Sequence, residues 1–402
     1  MKILILTQWF TPEPDLKGLP FARELQTSHN VEVLTGFPNY PGGKIYDGYK
    51  LSLFRKEKIQ GVTVNRVWLY PSHSLSKIGR VLNYLSFAIT ASLWSLFSSR
   101  RFDVVYVYHP PATIALPAIV LKLFRRTRVV YDIQDLWPDT LAATGMIQNS
   151  RVLRIIGSLM KWVYRHCDDI VVLSPGFKKV LIERGVAEHK VHIIYNWSLD
   201  IEKVHSDASV NFKMARETGR VILFAGTMGK AQGLETIIQV AEKCQSSNLD
   251  YRFVFLGGGI CYQQLEVLTK GKDLRNVSFL PRVSSSEVSN YLLSADLLLV
   301  HLVNDPLFTI TIPSKIQAYM RIGKPIICGV SGDADSLVRK ADCGYSFVPE
   351  SEDSLLNLLK ELDSVSDTEL RQKGMNGANY YRENLDISVG VKSFEEIFRK
   401  YS

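Results

Sequence analysis

The sequence predicts an α/β protein with two parallel-sheet domains. Two observations carry this. Short, β-rich apolar runs recur along the 402 residues, and most are continuous rather than alternating. Parallel strands buried on both faces require that pattern. Helical segments such as "GLETIIQVAEKCQ" and "SSSEVSNYLLSA" separate the runs, which is the alternation of a fold with right-handed crossovers.

In chain order the first series of runs is "KILILT", "VEVLTG", "GVTVNRVWLY", "DVVYVY", "TRVVYDI", "DIVVLS" and "VHIIYN". The second is "RVILFAGT", "RFVFLGGG", "NVSFLP", "DLLLVHL", "KPIICGV" and "GYSFVP". Two such series imply two Rossmann-like domains. Polarity rises and no strand is evident in "NWSLDIEKVHSDASV", so the expected domains are 1–197 and 198–383. Residues 384–402, including "DISVGVKSFEEIFRKYS", form a last amphipathic helix expected to return to the first domain. Open parallel sheets bind ligands beyond the carboxyl ends of their strands. Two domains face to face would enclose a cleft there, lined by strand-to-helix loops.

Composition narrows the class. The chain is 46% hydrophobic, enough for sizeable cores. Five scattered cysteines without a C-x-x-C pair fit buried thiols in a reducing compartment. "MKILILTQWF" turns polar too soon for a signal peptide and reads as a first strand. The net charge of +8 is uneven: residues 1–200 hold 25 Lys/Arg against 15 Asp/Glu, and the remainder 23 against 25. Between Lys77 and Arg128 eight basic residues face only Asp103. Within this region Val81–Phe97 is mostly apolar, yet it contains Asn83, Ser86, Thr90, Ser92 and Ser95. Seventeen residues lie at the lower edge of a membrane span. An interfacial helix fits better, with a helix buried on the first sheet as the equal alternative. "ALPAIVLKLFRRTR" and "RVLRIIGSLMKWVYRHC" repeat the apolar-basic combination, favouring a membrane surface over nucleic acid as partner.

Several loops could carry chemistry. In "FAGTMGKAQGLE", Gly226, Gly229 and Gly233 allow close backbone approach and Lys230 could neutralise phosphate; an ordinary βα turn reads equally well. "FLGGGICYQQLE" has the same form, with Gly257 and Gly258 either admitting a ligand or making a turn. In "FLPRVSSSEV", Arg282 and Val283 follow a strand, and Ser284 with Glu287 suits helix capping. In "TIPSKIQAYMRIGKP" the helix starts near Pro313-Ser314 and stops at Gly323-Lys324-Pro325. Thr311, Ser314 and Lys315 stand beside its positive end, suited to a diphosphate or, for Ser314, simply to capping. "YDIQDLWPDTL" places Asp132, Asp135 and Asp139 near Trp137 at a strand end, as a sugar site or as helix caps. The eight histidines show no H-E-x-x-H or paired Cys/His spacing, and no G-x-S-x-G elbow occurs. Metal-dependent hydrolysis and serine catalysis are therefore unsupported, and neither a metal nor another cofactor is expected.

Together "TGFPNYPGGKIYDGY", "DLWPDTL", "VHIIYNW", "AGTMGKAQGLE", "NVSFLP" and "PSKIQAYMRIGKPI" resemble the family 4 glycosyltransferases of GT-B fold. Within them the resemblance is to the WbuB-like N-acetyl-L-fucosaminyltransferases of bacterial O-antigen and capsule synthesis. It implies two Rossmann-like domains facing each other across a cleft. It also implies a donor, UDP-linked by resemblance, on the C-terminal domain. A polyprenyl-diphosphate-linked sugar acceptor would lie on the N-terminal domain, and the anomeric configuration would be retained. Gly18, Lys230, Thr311, Ser314 and Lys315 become diphosphate ligands. Gly257, Gly258, Arg282, Val283 and Gln317 become nucleoside or sugar contacts. Asp135 becomes catalytic, and Asn39, Tyr40 and Trp137 bind acceptor. The implied location is cytoplasmic, peripheral to the inner membrane.

Two departures stand out. The family's E-x7-E carboxylates fall at Ile310 and Ala318, and its frequent histidine before the aspartate is Gln134. A lost charged hydrogen bond weakens binding by ~1.5–3 kcal/mol unless replaced, and Gln317 or Glu287 could compensate. The missing carboxylates motivate a second reading, a non-catalytic partner subunit. A nucleotide-sugar 2-epimerase of the same fold is a third.

Overall fold

The computed structural model describes residues 1–14, 16–72, 77–198 and 219–401. Most of the segment expected to join the two domains therefore lies outside the described residues. The chain divides into two units, Met1–Tyr195 with Ile387–Ser402, and Asn196–Asp386.

The first unit is built on eight described strands: β1 (Lys2–Leu6), β2 (Asn30–Gly36), β3 (Phe54–Ile59), β4 (Val62–Val67), β5 (Val104–His109), β6 (Arg128–Ile133), β7 (Asp169–Val172) and β8 (Val191–Ile193). Their order is β3-β4-β2-β1-β5-β6-β7-β8. All pairs are parallel except β3 with β4. Central strands read as apolar runs because both faces are covered; Ile3, Leu4, Ile5 and Leu6 have no exposed surface. The edge strand β3, "FRKEKI", alternates exposed with half-buried positions. Its charges hide it from a search for apolar runs, and they also protect a sheet edge from unwanted pairing.

In the second unit the described strands are β9 (Arg220–Thr227), β10 (Tyr251–Gly258), β11 (Val277–Leu280), β12 (Leu297–His301), β13 (Ile326–Gly329) and β14 (Gly344–Ser346). They lie parallel in the order β11-β10-β9-β12-β13-β14. The strand order reverses direction at β1 in the first sheet and at β9 in the second. Those are the points where loops on either side diverge and leave a crevice.

The helix Lys77–Phe97 is packed on the first sheet along one face, as the buried reading expects, and exposed along the other. Asn83, Phe87, Ala88, Ala91 and Ser95 are buried on one face. On the other, Ile78, Val81, Leu82, Leu85, Ile89, Leu93 and Phe97 are exposed, from 42% for Leu85 to 78% for Phe97. This apolar stripe follows helical spacing. Among the described residues no helix is long and apolar enough to cross a membrane.

The last helix, Ile387–Arg399, belongs to the first unit. Phe394 meets Phe21 and Tyr106 at ring distances of 5.3 and 5.2 Å. Lys400 reaches Asp169 at 3.1 Å, and the Tyr401 hydroxyl donates to the same carboxylate. All five cysteines are buried and free.

A buried ion pair ties the loop after β1 to the sheet. Lys17 Nζ lies 2.5 Å from Asp132 Oδ2, and neither side chain is exposed. Asp132→Leu alone strands a buried ammonium and is expected to destabilise the first unit by about 3–5 kcal/mol in chemical denaturation. Lys17→Met added to Asp132→Leu should recover most of that loss; an additive result would show that the pair is not coupled.

Candidate functional site

The site residues of the first unit cluster at the switch point beside β1. Gly18 caps the helix Leu19–Gln26 and is buried. Its neighbour Lys17 is held by Asp132, which also accepts the Tyr106 hydroxyl at 2.6 Å and Gln134 Nε2 at 2.7 Å. The glutamine that replaces the family's histidine is thus turned towards the buried pair. One turn of chain further on, Asp135 is half-buried, and its carboxylate has no hydrogen-bond or ion-pair partner among the described residues. Burial raises its pKa. The three carboxylates of "DIQDLWPD" therefore divide: Asp132 is structural, Asp139 pairs with Arg184, and Asp135 is unoccupied. None of them caps the short helix Asp139–Ala143, whose cap position is Pro138.

Trp137 is half-buried, edge-on to His109 at 5.5 Å, and its carbonyl accepts from Arg184 at 3.3 Å. His109 is completely buried with neither ring nitrogen bonded, and burial drives its pKa down to about 3. It is a neutral wall of the site.

Asn39 is not the open acceptor ligand expected from sequence. It is 1% exposed, and its amide donates to the Phe37 carbonyl at 2.9 Å and accepts from Asn83 at 3.2 Å. Glu13 accepts the backbone N–H groups of Phe10, Asn39 and Tyr40 at 3.1, 2.7 and 2.7 Å. Burial outweighs these donors and moves its pKa up to about 7. Tyr40 remains at the surface of this arrangement, half-buried, its ring 4.7 Å from Trp9. Lys17, Glu13 and Trp9 organise this loop and are not singled out from the sequence. Only the adjacency of Lys17 to Gly18 could have pointed to one of them.

In the second unit the corresponding site forms at the carboxyl end of β9. Gly226 has φ +138°, and a Cβ there would lie 2.7 Å from Lys315 Cε. Its absence lets Lys315 lie over the strand end, with Nζ 3.6 Å from the Phe224 ring centroid. Lys315 has no hydrogen-bond or ion-pair partner among the described residues, and burial pushes its pKa down to about 7. The two loops expected to meet here therefore do so.

Gly257 has φ +137°, and a Cβ would lie 2.1 Å from the Gly226 carbonyl oxygen, so this glycine is needed by backbone packing. Gly258 faces open space. Lys230 is exposed in a short turn before the helix Leu234–Ser246, with no partner among the described residues. That turn is fixed from behind: buried His301 contacts the Gln232 carbonyl through Nδ1 at 2.7 Å, while its Nε2 accepts from the Glu350 N–H at 3.1 Å.

Ser314 is the first residue of the helix Ser314–Ile322, and Pro313 occupies the cap with no side-chain bond. The first amides of a helix have no intrahelical acceptor partner, so this end stays open to an anion. Thr311 is half-buried, and its hydroxyl donates to the Leu307 carbonyl at 2.8 Å, leaving oxygen lone pairs free. Gln317 does not fill the gap at Ala318. It is 2% exposed, and its amide faces the Pro313 and Ser314 carbonyls at 2.9 and 3.3 Å. Glu287 is likewise engaged, accepting from the Ser284 hydroxyl at 2.6 Å. Arg282 is exposed and Val283 half-buried beyond β11. Among the described residues no cluster of His, Cys, Asp or Glu could hold a metal ion.

Residues 19–197 match the model described as "Glycosyl transferase 4-like domain", and residues 207–378 match "Glycosyl transferases group 1". The chain is a family 4-like glycosyltransferase of the GT-B fold. It is 27% identical to WcaI of Escherichia coli K12, named as a colanic acid biosynthesis glycosyl transferase, over 80% of this chain and 82% of WcaI. It is 21% identical to WbjE of Pseudomonas aeruginosa, named as a glycosyltransferase, over 75% of each chain. Among solved structures, Anabaena HepE in complex with UDP superposes with a TM-score of 0.70 at 16% identity, covering 100% of both chains.

The state of Lys315 yields a pH signature. Above pH of about 7 its amine is neutral in the free transferase. A bound diphosphate favours the ammonium form and raises that pKa again. UDP binding at pH 8 should therefore take up protons, measured by calorimetry in buffers of different ionisation enthalpy. Lys315→Met should abolish the uptake; an unchanged value would place the titrating group elsewhere.

Proposed function

We propose that this transferase moves a sugar from a UDP-sugar to a polyprenyl-diphosphate-linked sugar, with retention, in surface polysaccharide synthesis of the O-antigen or capsule kind. The resemblance to WbuB-like enzymes favours N-acetyl-L-fucosamine as the sugar. The observation that carries the reading is Lys315, an amine without a hydrogen-bond or ion-pair partner among the described residues, beside Gly226 and the open end of its own helix. A donor diphosphate supplies the missing counter-charge. Lys230, Ser314 and Thr311 add donors around it. Leaving-group stabilisation by such preorganised cations and amides needs no metal. A donor phosphate oxygen takes the acceptor proton on the same face of the sugar. Asp135, with its carboxylate open, orients the acceptor hydroxyl, and Tyr40 and Trp137 offer apolar faces to a sugar ring.

The relatives support the setting. WcaI is named for colanic acid biosynthesis, and HepE was solved with UDP. The proposal includes peripheral attachment to the cytoplasmic face of the inner membrane, and the exposed stripe Ile78–Phe97 supports it. Leu123 and Phe124 on the helix Ala115–Arg125, beside Lys122 and Arg125, continue the same apolar-basic character. Apolar side chains in the interface with cations against anionic headgroups give peripheral binding. The absent carboxylates at Ile310 and Ala318 favour one competing reading, a non-catalytic partner.

A panel of nucleotides and nucleotide sugars should raise the thermal midpoint, because a ligand of the folded state stabilises it by mass action. UDP-sugars are expected to act, and labelled sugar should pass to a lipid-linked acceptor. Lys315→Ala should reduce donor affinity about tenfold or more without unfolding the chain. Nucleotide binding without transfer to any acceptor, together with activation of another transferase, would instead establish the partner reading. No nucleotide binding at all would overturn both.

Membrane attachment is tested separately. Leu82→Ser with Leu85→Ser and Ile89→Ser should reduce partition into phosphatidylglycerol vesicles about tenfold or more, with folding unchanged. Undiminished partition would remove this helix from the interface.

A further inference from the structure

The helix Ser150–His166 and the turn following the helix Pro175–Glu183 enclose a cavity of about 300 Å³ that the proposed reaction does not use. Lys161, Arg165, Arg184 and Lys190 line it, and no acidic side chain does. Two of the cations are positioned by the fold. Arg184 donates to the Trp137 carbonyl and pairs with Asp139, and Lys190 Nζ donates to the Cys167 carbonyl at 3.2 Å. The other two, Lys161 and Arg165, stand one helical turn apart with no ion-pair partner among the described residues. Like charges at this spacing repel each other.

An independent observation points into the same cavity. Tyr164 lines it, is 2% exposed, and its hydroxyl has no hydrogen-bond partner among the described residues. Buried hydroxyls almost always have one. Lys161 and Arg165 without counter-charges, Lys190 beside them and an unused buried donor match the needs of a group with several anionic oxygens.

We propose that this cavity seats a phosphate group, with the Tyr164 hydroxyl donating to one oxygen and Lys161 and Arg165 closing on the others. The inference goes beyond sugar transfer and does not depend on it. Ile155, Leu159 and Trp162 are exposed on the same helix, so the phosphate can belong to a lipid headgroup as well as to a soluble phosphate ester. The chemistry recognised is the same. Through Arg184 an occupied cavity would also brace the backbone of Trp137 from behind.

The test uses the full chain carrying Lys315→Ala, so that the donor site cannot report. Pyrophosphate is titrated by calorimetry. Binding is expected, weakened about tenfold or more by Tyr164→Phe and by Arg165→Gln. Arg154→Gln, an exposed charge of the same helix outside the cavity, should leave it unchanged. Circular dichroism checks that each variant is folded, and Arg165 is exposed, so its substitution leaves the core untouched. A second arm measures partition into phosphatidylglycerol and phosphatidylcholine vesicles. Loss of the phosphatidylglycerol preference in Tyr164→Phe supports the seat and makes a lipid headgroup its occupant. An unchanged preference, with pyrophosphate binding still lost, supports the seat and makes a soluble phosphate ester its occupant. Absence of pyrophosphate binding, or equal weakening by Arg154→Gln, overturns the proposal.

Discussion

Removing an ammonium group from water costs several kcal/mol, and the two units answer that cost differently at the carboxyl edges of their sheets. In the first unit the charge of Lys17 is matched by Asp132 at 2.5 Å, with Tyr106 and Gln134 completing the carboxylate's partners. In the second, Lys315 is left against the face of Phe224 with no carboxylate at all. The two lysines therefore serve opposite ends. A matched pair is a fixed pin, holding the Gly18 loop to the end of β6. An unmatched one is held as a weaker acid-base group, its pKa lowered to about 7 by burial. The same desolvation physics thus produces the rigid part of the machinery and its receptive part.

The loops at the first switch point are also joined to the helix Lys77–Phe97. Asn83, on its buried face, contacts Gln8, Asn39 and the Tyr70 carbonyl. Asn39 in turn shares Glu13 with Phe10 and Tyr40. Asn83, with Ser86 and Thr90, therefore ties this apolar helix to the loops that leave the sheet. Its outward face is free to be apolar because the inward face does the holding. The exposed apolar stripe and the loops around Asn39 and Tyr40 are consequently parts of one hydrogen-bonded assembly.

The departures from the family pattern look different in three dimensions. Gln134 replaces a histidine but is bonded to Asp132, so it supports the pin rather than facing an acceptor. Gln317 and Glu287, the two side chains that could have answered for the missing carboxylates, are spent on the Pro313 and Ser314 carbonyls and on Ser284. Lys315 and the helix start at Ser314 are thus left without an acidic neighbour from either side chain.

Much of the fold could be read from local pattern. Strands buried on both faces must be apolar throughout, so twelve of the fourteen described strands announce themselves, from Lys2–Leu6 to Ile326–Gly329, and Gly344–Ser346 follows from its short β-rich run. The exception is β3, whose solvated edge needs no such run. Helix ends are local too: Gly323 stops its helix at φ +77° because only a residue without Cβ turns there at little cost. What the sequence by itself determined is this set of elements and the loops that follow them. Only the tertiary structure decided which polar side chains in those loops are still available. Asn39 and Gln317 look like ligands in the sequence but are consumed inside the fold, whereas Lys17 looks like a surface charge and is fully buried. The reason is physical. A strand or a cap depends on neighbours along the chain, but the fate of a charge or an amide depends on which distant groups the sheet brings against it.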